Sequence, residues 1–314
     1  MRALMLFAVL FILPLHTLAE DKPQGESESA PVAEPNNEQR FSSKGQIEVG
    51  GQRIAYTVEA GETFLRTDKG VPEASIFSFS YLKAGVKDYS RRPVSFVFNG
   101  GPGSSSVWLH LGVFGPKRVV VPSEAEDDGA APFQLIDNEL SLLDVTDIVL
   151  VDPVGTGFSK ALGEQEGKAF WGIKQDADSL ARFVRQWLKE HKRWNSPKYL
   201  AGESYGTIRA AALTKALNPG FDDVALNGVM LISTILDTGG ARPAPHNDMV
   251  PITYLPTYAA TAWYHGKVPD QPELEPFLQE ARTFALTEYA SALMLGKNRI
   301  PAEQRALSGR TAFN

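Results

Sequence analysis

The 314-residue sequence has no cysteine. That excludes disulfides, a thiolate nucleophile and a thiol for lipid attachment, so stability outside the cytoplasm must come from packing alone. Basic residues are not in excess: 31 Lys and Arg stand against 37 Asp and Glu, a net charge of -6 with pI near 5.5. Without a basic face a nucleic-acid partner is not expected. There is no dinucleotide fingerprint and no cluster with metal-ligand spacing, so no cofactor or metal is expected. What is present is ordinary globular composition, 43% apolar and 22% charged, enough for one large domain or two modest ones.

Residues 1–19 open with Arg2, run apolar from Ala3 to Leu15 and end in Thr17-Leu18-Ala19. This is the arrangement of a secretory signal peptide, the alternative being an uncleaved anchor, although the run is short for a membrane span. A secreted or periplasmic protein follows, a bacterial periplasm being the simplest fit, with no stable membrane insertion after cleavage. Residues 20–45 are rich in Glu, Ser, Pro and Asn and read as a disordered linker.

From 46 to 239 the pattern is that of a folded core. Gln46 to Val58 and Ala74 to Leu82 alternate like half-buried strands, an antiparallel opening. Val94 to Phe98, Asp147 to Val151, Lys198 to Ala201 and Val229 to Ile232 are short apolar runs, the signature of strands buried on both faces of a mainly parallel sheet flanked by helices. Gly172 to His191 places Ile173, Leu180, Phe183, Val184, Trp187 and Leu188 on one face and predicts a crossover helix. Residues 240–314 begin Pro-rich and then turn amphipathic at Tyr258 to Tyr264 and Leu274 to Leu295, predicting the start of a helical insertion.

Gly202-Glu203-Ser204-Tyr205-Gly206 lies between the third apolar run and the alanine-rich stretch Thr207 to Ala216. Strand, tight turn and helix is the context in which Gly-x-Ser-x-Gly forms a nucleophile elbow, with the serine strained and its oxygen in open space. Asn99-Gly100-Gly101-Pro102-Gly103-Ser104-Ser105-Ser106 follows the first apolar run. Its glycines let amides approach a ligand, so it can supply an oxyanion donor, with the Tyr205 amide as the second. The alternatives are an anion loop or a plain turn. Asp152 to Ser159 is a third loop at a strand's carboxyl end, where open α/β sheets line their crevice. Asp152 reads as a loop-holding or helix-capping residue.

Four blocks, Asn99 to Ser106, Phe114-Gly115-Pro116, Val151 to Ser159 and Gly202 to Gly206, resemble in order and spacing the serine carboxypeptidase family. The resemblance covers about residues 90–240. It implies an α/β-hydrolase fold with a helical cap insertion, and removal of C-terminal residues from peptides through an acyl-enzyme. Ser204 is then the nucleophile, and the Gly101 and Tyr205 amides form the oxyanion hole. The substrate's terminal carboxylate is held by Asn99 and Glu203, with Gly100 beside them; the resemblance further implies a Trp and a Glu where this sequence has Val97 and Val113, and a Cys where it has Ser104. Glu203 reads alternatively as a strand-end carboxylate bonded to a neighbouring loop. If it and Asn99 hold a carboxylate, Glu203 must carry a proton, which favours acidic pH.

A serine nucleophile needs a His held by an Asp, in chain order Ser, Asp, His. After Ser204 the histidines are His246 and His265, both at or before the helical insertion, and neither reads as the base. The expectation is therefore a C-terminally truncated member lacking the second half of its core, against the alternative of a silent homologue. Three functions remain: a serine carboxypeptidase acting on peptides with a free C-terminus, an esterase or acyltransferase of the same fold, and a non-catalytic carboxylate-binding protein.

Overall fold

The computed structural model describes residues 37–122, 129–163, 165–241, 244–245 and 247–296. Three long strands come first, β1 (Arg40–Val49), β2 (Gln52–Arg66) and β3 (Pro72–Lys83), paired antiparallel. β1 and β2 meet at Gly50-Gly51, both at positive φ of 56° and 76°, the conformation a tight two-residue hairpin demands. β4 (Val94–Phe98) leads into a short turn, α1 (Val107–Leu109), then a small hairpin of β5 (Lys117–Val119) and β6 (Leu135–Asp137). β7 (Asp147–Val151), β8 (Lys160–Ala161), α2 (Ile173–Glu190), β9 (Lys198–Glu203), α3 (Tyr205–Ala216) and β10 (Gly228–Ile232) complete the sheet region. α4 (Thr238–Ala241), α5 (Met249–Tyr264), α6 (Leu274–Phe284) and α7 (Ala290–Leu295) follow.

The main sheet runs β1-β2-β3-β7-β4-β9-β10, with β8 beside β3. β3 pairs β7 antiparallel, whereas β7, β4, β9 and β10 are parallel. The antiparallel opening and parallel centre are thus as the sequence predicts. After β4 the chain crosses to β7 on one side; α2 then carries it to β9 on the other. β4 is the switch point of the sheet, and such points open a crevice at the strands' carboxyl ends.

Period-two alternation sorts the central strands onto two faces. Phe96, Phe98, Val149, Val151 and Leu200 point toward α2 and α3, where Leu180, Phe183, Val184, Trp187, Leu188 and Leu213 meet them. Each fully buried side chain of this size contributes about 2–3 kcal/mol. Trp187 packs edge-on to Phe96 at 5.3 Å, and its indole N–H donates to Ser80 Oγ at 3.0 Å. Val97, Ile148, Leu150 and Ala201 face the other way, onto Leu109, Phe114, Leu143 and the curled β1 and β2. That second face is covered by short turns and the strand ribbon rather than by long helices. At the amino ends of the strands, buried Asp147 pairs with Arg92 Nε at 3.1 Å and with the Arg193 guanidinium. Arg193 Nη2 also donates to Arg92 O at 2.7 Å, so the charges are hydrogen-bonded as burial requires.

Four expectations change. Ordered strand begins at Arg40, inside the stretch 20–45 read as linker, because β1 is secured by full pairing with β2 from Arg40↔Gly61 onward. Residues 1–19, and 20–36 of that linker, lie outside the described residues. β10 is not buried on both faces: Val229 and Leu231 are 40% and 48% exposed, since β10 is the sheet edge among the described residues. Ile173 leaves the buried face of α2, being its exposed first residue. α5 starts at Met249 and runs through Pro256, nine residues before the predicted helix at Tyr258; apolar content outweighs one missing N–H.

Candidate active site

Ser204 joins β9 to α3 with φ 57° and ψ -122°, a combination that a residue with a side chain holds only under constraint. The constraint is the packing of the turn itself. A methyl group on Gly202 would lie 2.1 Å from the Gly206 carbonyl oxygen, and one on Gly206 would lie 2.9 Å from Phe98 O. Ser204 N donates to Ile232 O at 3.0 Å, and Ser204 O accepts from Thr207 N at 3.0 Å and from Thr207 Oγ1 at 2.7 Å. The turn is pinned on both sides, with the serine half-buried and at the amino end of α3. There the helix dipole favours developing negative charge.

The strand registers bring the other candidates alongside. Phe98 pairs with Gly202, so Asn99 stands next to Glu203; Val97 pairs with Leu150, so Asp152 follows on the other flank. Asn99 Nδ2 donates to Glu203 Oε2 at 3.0 Å, and Asn99 Oδ1 accepts from Leu109 N at 2.9 Å. Gly100 is pressed against the elbow: a methyl group there would lie 2.5 Å from both Glu203 O and Tyr205 N. Only glycine permits that approach, which places the loop beside one of the two amides read as oxyanion donors. Gly101 turns outward with φ 103° and is exposed.

Asp152 holds loops together. Its Oδ1 accepts from Ser106 N at 2.9 Å and its Oδ2 from Phe158 N at 3.4 Å, while its carbonyl accepts from Ser159 Oγ at 2.6 Å. Burial raises its pKa, against which the two N–H groups act. Ser106 Oγ donates to Val151 O, closing the Gly-rich loop onto β7. Ser106 is legible only as part of its loop, and nothing in the sequence marks Asp176 and Arg209, a buried ion pair at 2.8 Å behind the site.

Among the described residues no histidine hydrogen-bonds the Ser204 hydroxyl. His265 ends α5, exposed and edge-on to Tyr264, and His246 lies outside the described residues. His110 is turned inward against Tyr81, 2.6 Å from its hydroxyl, and burial lowers its pKa to about 4. His191 stacks on Trp187 and meets Glu59 at 3.0 Å. A cavity of about 230 Å³ lies among Arg40, Glu59, Glu62, Trp187 and His191, and none of its lining residues belongs to the loops around Ser204.

Residues 71–270 match the family described as serine carboxypeptidase, well over half of the chain. The chain belongs to the serine carboxypeptidase family. Serine carboxypeptidase-like 29 of Arabidopsis thaliana is 28% identical over 166 residues, covering 51% of this chain and 33% of that protein. The pheromone-processing carboxypeptidase KEX1 of Yarrowia lipolytica is 34% identical over 130 residues, 40% of this chain and 19% of that one. The crystal structure of a prohormone-processing carboxypeptidase, KEX1 from Saccharomyces cerevisiae, superimposes with a TM-score of 0.50 at 19% identity, over 82% of this chain and 52% of that one. The match spans a third or less of these curated relatives. The fold is that of the α/β-hydrolases. Within this serine carboxypeptidase family member, Val97 is fully buried in the sheet and Val113 is 49% exposed, so neither adds a polar group beside Asn99 and Glu203.

Proposed function

We propose that this chain carries the nucleophile and oxyanion elements of a serine carboxypeptidase. Ser204 Oγ attacks the carbonyl of the last peptide bond, and the C-terminal amino acid leaves as an acyl-enzyme forms on Ser204. Water then releases the shortened peptide and restores the serine. The observation that carries this reading is the contact of Gly100 with the elbow, which sets the 99–103 loop against the amide of Tyr205. In this reading the Gly101 and Tyr205 amides hold the tetrahedral oxyanion, a contribution of about 10²–10³ in rate per donor. The Ser204 proton passes to a histidine base and then to the leaving amine. Asp152 is not assigned to that work, because both its carboxylate oxygens already accept backbone N–H groups, and His265 is not assigned either.

Asn99 and Glu203 receive the peptide's terminal carboxylate. Two carboxylates side by side require a shared proton, so binding weakens as pH rises and peptide turnover is favoured under acid conditions. In this reading the helices α5 to α7 belong to the helical insertion that the resemblance implies. We also propose export, with residues 1–19 removed and the product secreted or periplasmic; a mature amino terminus at Glu20 supports this, and one at Met1 contradicts it.

The test is release of single amino acids from amino-blocked dipeptides by the protein expressed from its complete reading frame, alongside turnover of simple esters. Release that is strongest at acidic pH supports the reading; ester turnover without amino-acid release contradicts the peptidase assignment. An esterase or acyltransferase is the second reading, favoured by valine at positions 97 and 113, where the resemblance implies Trp and Glu.

A further inference from the structure

We infer that Arg209 is a positioning residue that sets the spacing of the two amide donors beside Ser204, through a buried brace shared with Asp176. What the donors do rests on the hydrolase reading above; the brace itself does not.

Arg209 is 2% exposed, on α3 little more than one turn past the nucleophile. Its Nη1 donates to the carbonyl of Asn99, the root of the Gly-rich loop and one peptide before Gly101. Its Nε donates to Asp176 Oδ2 at 2.8 Å, and Asp176 comes from α2. The same carboxylate oxygen accepts from the Tyr205 hydroxyl at 3.5 Å. The guanidinium carbon lies 5.1 Å from the Tyr205 ring centroid and 5.6 Å from that of Phe98, the last residue of β4. One rigid fork therefore touches both carriers of an amide donor: the 99–103 loop through its carbonyl, and Tyr205 through its ring and through Asp176.

A buried guanidinium loses its hydration, and an apolar residue of similar volume packed against Phe98 and Tyr205 would serve stability as well or better. What an apolar residue cannot do is fix a carbonyl and a carboxylate in one plane. A lysine cannot do so either, since its three donors radiate from a single nitrogen rather than from a planar fork. Misplacement by about 1 Å at a reacting centre costs on the order of 10²-fold in rate, which is the size of effect such a brace controls.

The experiment compares the wild type with Arg209→Lys and, where that variant does not fold, Asp176→Asn, which keeps the size of the side chain. Two readouts are taken: amide hydrogen exchange by mass spectrometry, and kcat and KM on an ester substrate together with the rate of Ser204 phosphonylation. The expected result is exchange faster by about tenfold or more in peptides covering 99–106 and 203–208, with peptides of β2 within about twofold. With it, kcat falls about tenfold or more while KM stays within about threefold. Unchanged exchange in the two site segments of a folded variant overturns the brace, as does acceleration spread evenly over the molecule with kcat intact. If the wild type neither turns over the ester nor is phosphonylated, the hydrolase reading fails, and the exchange pattern alone then upholds or overturns the brace.

Discussion

At the scale of the residue, Ser204 is the place where the chain is held away from its own preference. Its φ of 57° costs on the order of 1–3 kcal/mol for a residue with a side chain. Ser204→Gly is therefore expected to raise stability by about 1 kcal/mol in urea unfolding while abolishing phosphonate labelling; lower stability than wild type would show that the turn is unstrained. Gly-x-Ser-x-Gly is by itself a common turn pattern, and the elbow was legible because it sits between an apolar run and an alanine-rich run, with Gly-rich loops following two other apolar runs. The roles of Asp152 and Glu203 were legible only as alternatives. Which one holds depends on register, since Phe98 facing Gly202 is what sets Asn99 beside Glu203. Arg209 and Asp176 carry no local signal because their partners, the Asn99 carbonyl and each other, are 110 and 33 residues away in sequence.

At the scale of the element, the site is the meeting of a loop and a turn that follow adjacent parallel strands. Gly100 is the hinge of that contact. Gly100→Ala places a methyl group 2.5 Å from Tyr205 N and Glu203 O, so loop and elbow must part by about 1 Å to reach ordinary van der Waals distance. The expected outcome is a folded protein with kcat/KM on esters lowered by about 10²-fold; kinetics within a factor of two of wild type would place the loop elsewhere during turnover. The four apolar runs read correctly as strands because each is only about four or five residues long, too short for a buried helix. β10 is the partial exception: as an edge it exposes Val229 and Leu231, and an apolar run alone does not say which strand will be the edge. β1 likewise begins before the alternating stretch at Gln46, since pairing with β2 recruits the mostly polar run Arg40 to Gly45, whose Phe41 stays exposed.

At the scale of the whole molecule, two responses to pH oppose each other. Burial beside Tyr81 and Phe79 holds the pKa of His110 at about 4 against an ordinary 6.5, while burial pushes the Tyr81 hydroxyl up to about 12. Below pH 6.5 the unfolded chain therefore binds a proton that the folded one refuses until about pH 4. Stability from this site is full above 6.5 and is lost as pH falls through that window, by at most about 3 kcal/mol. Urea midpoints at pH 7 and pH 5 should differ in the wild type and differ less in His110→Phe; equal slopes in both would assign the loss to other groups. Acid is thus expected to favour substrate binding at Glu203 while weakening the fold, so optimum activity sits above the pH at which the protein opens. The parallel centre and the crossover helix followed from the apolar runs and the helical period, without the strand order or its switch point at β4. The cover on the second face did not, because it is built from short turns with no period of their own. The central claim is that one backbone turn presents an activated serine, and fluorophosphonate labelling followed by peptide mapping, on the protein expressed from its complete reading frame, tests it most directly. A single stoichiometric adduct on Ser204, absent in Ser204→Ala, is expected; an unlabelled protein, or an adduct on another residue, would contradict it.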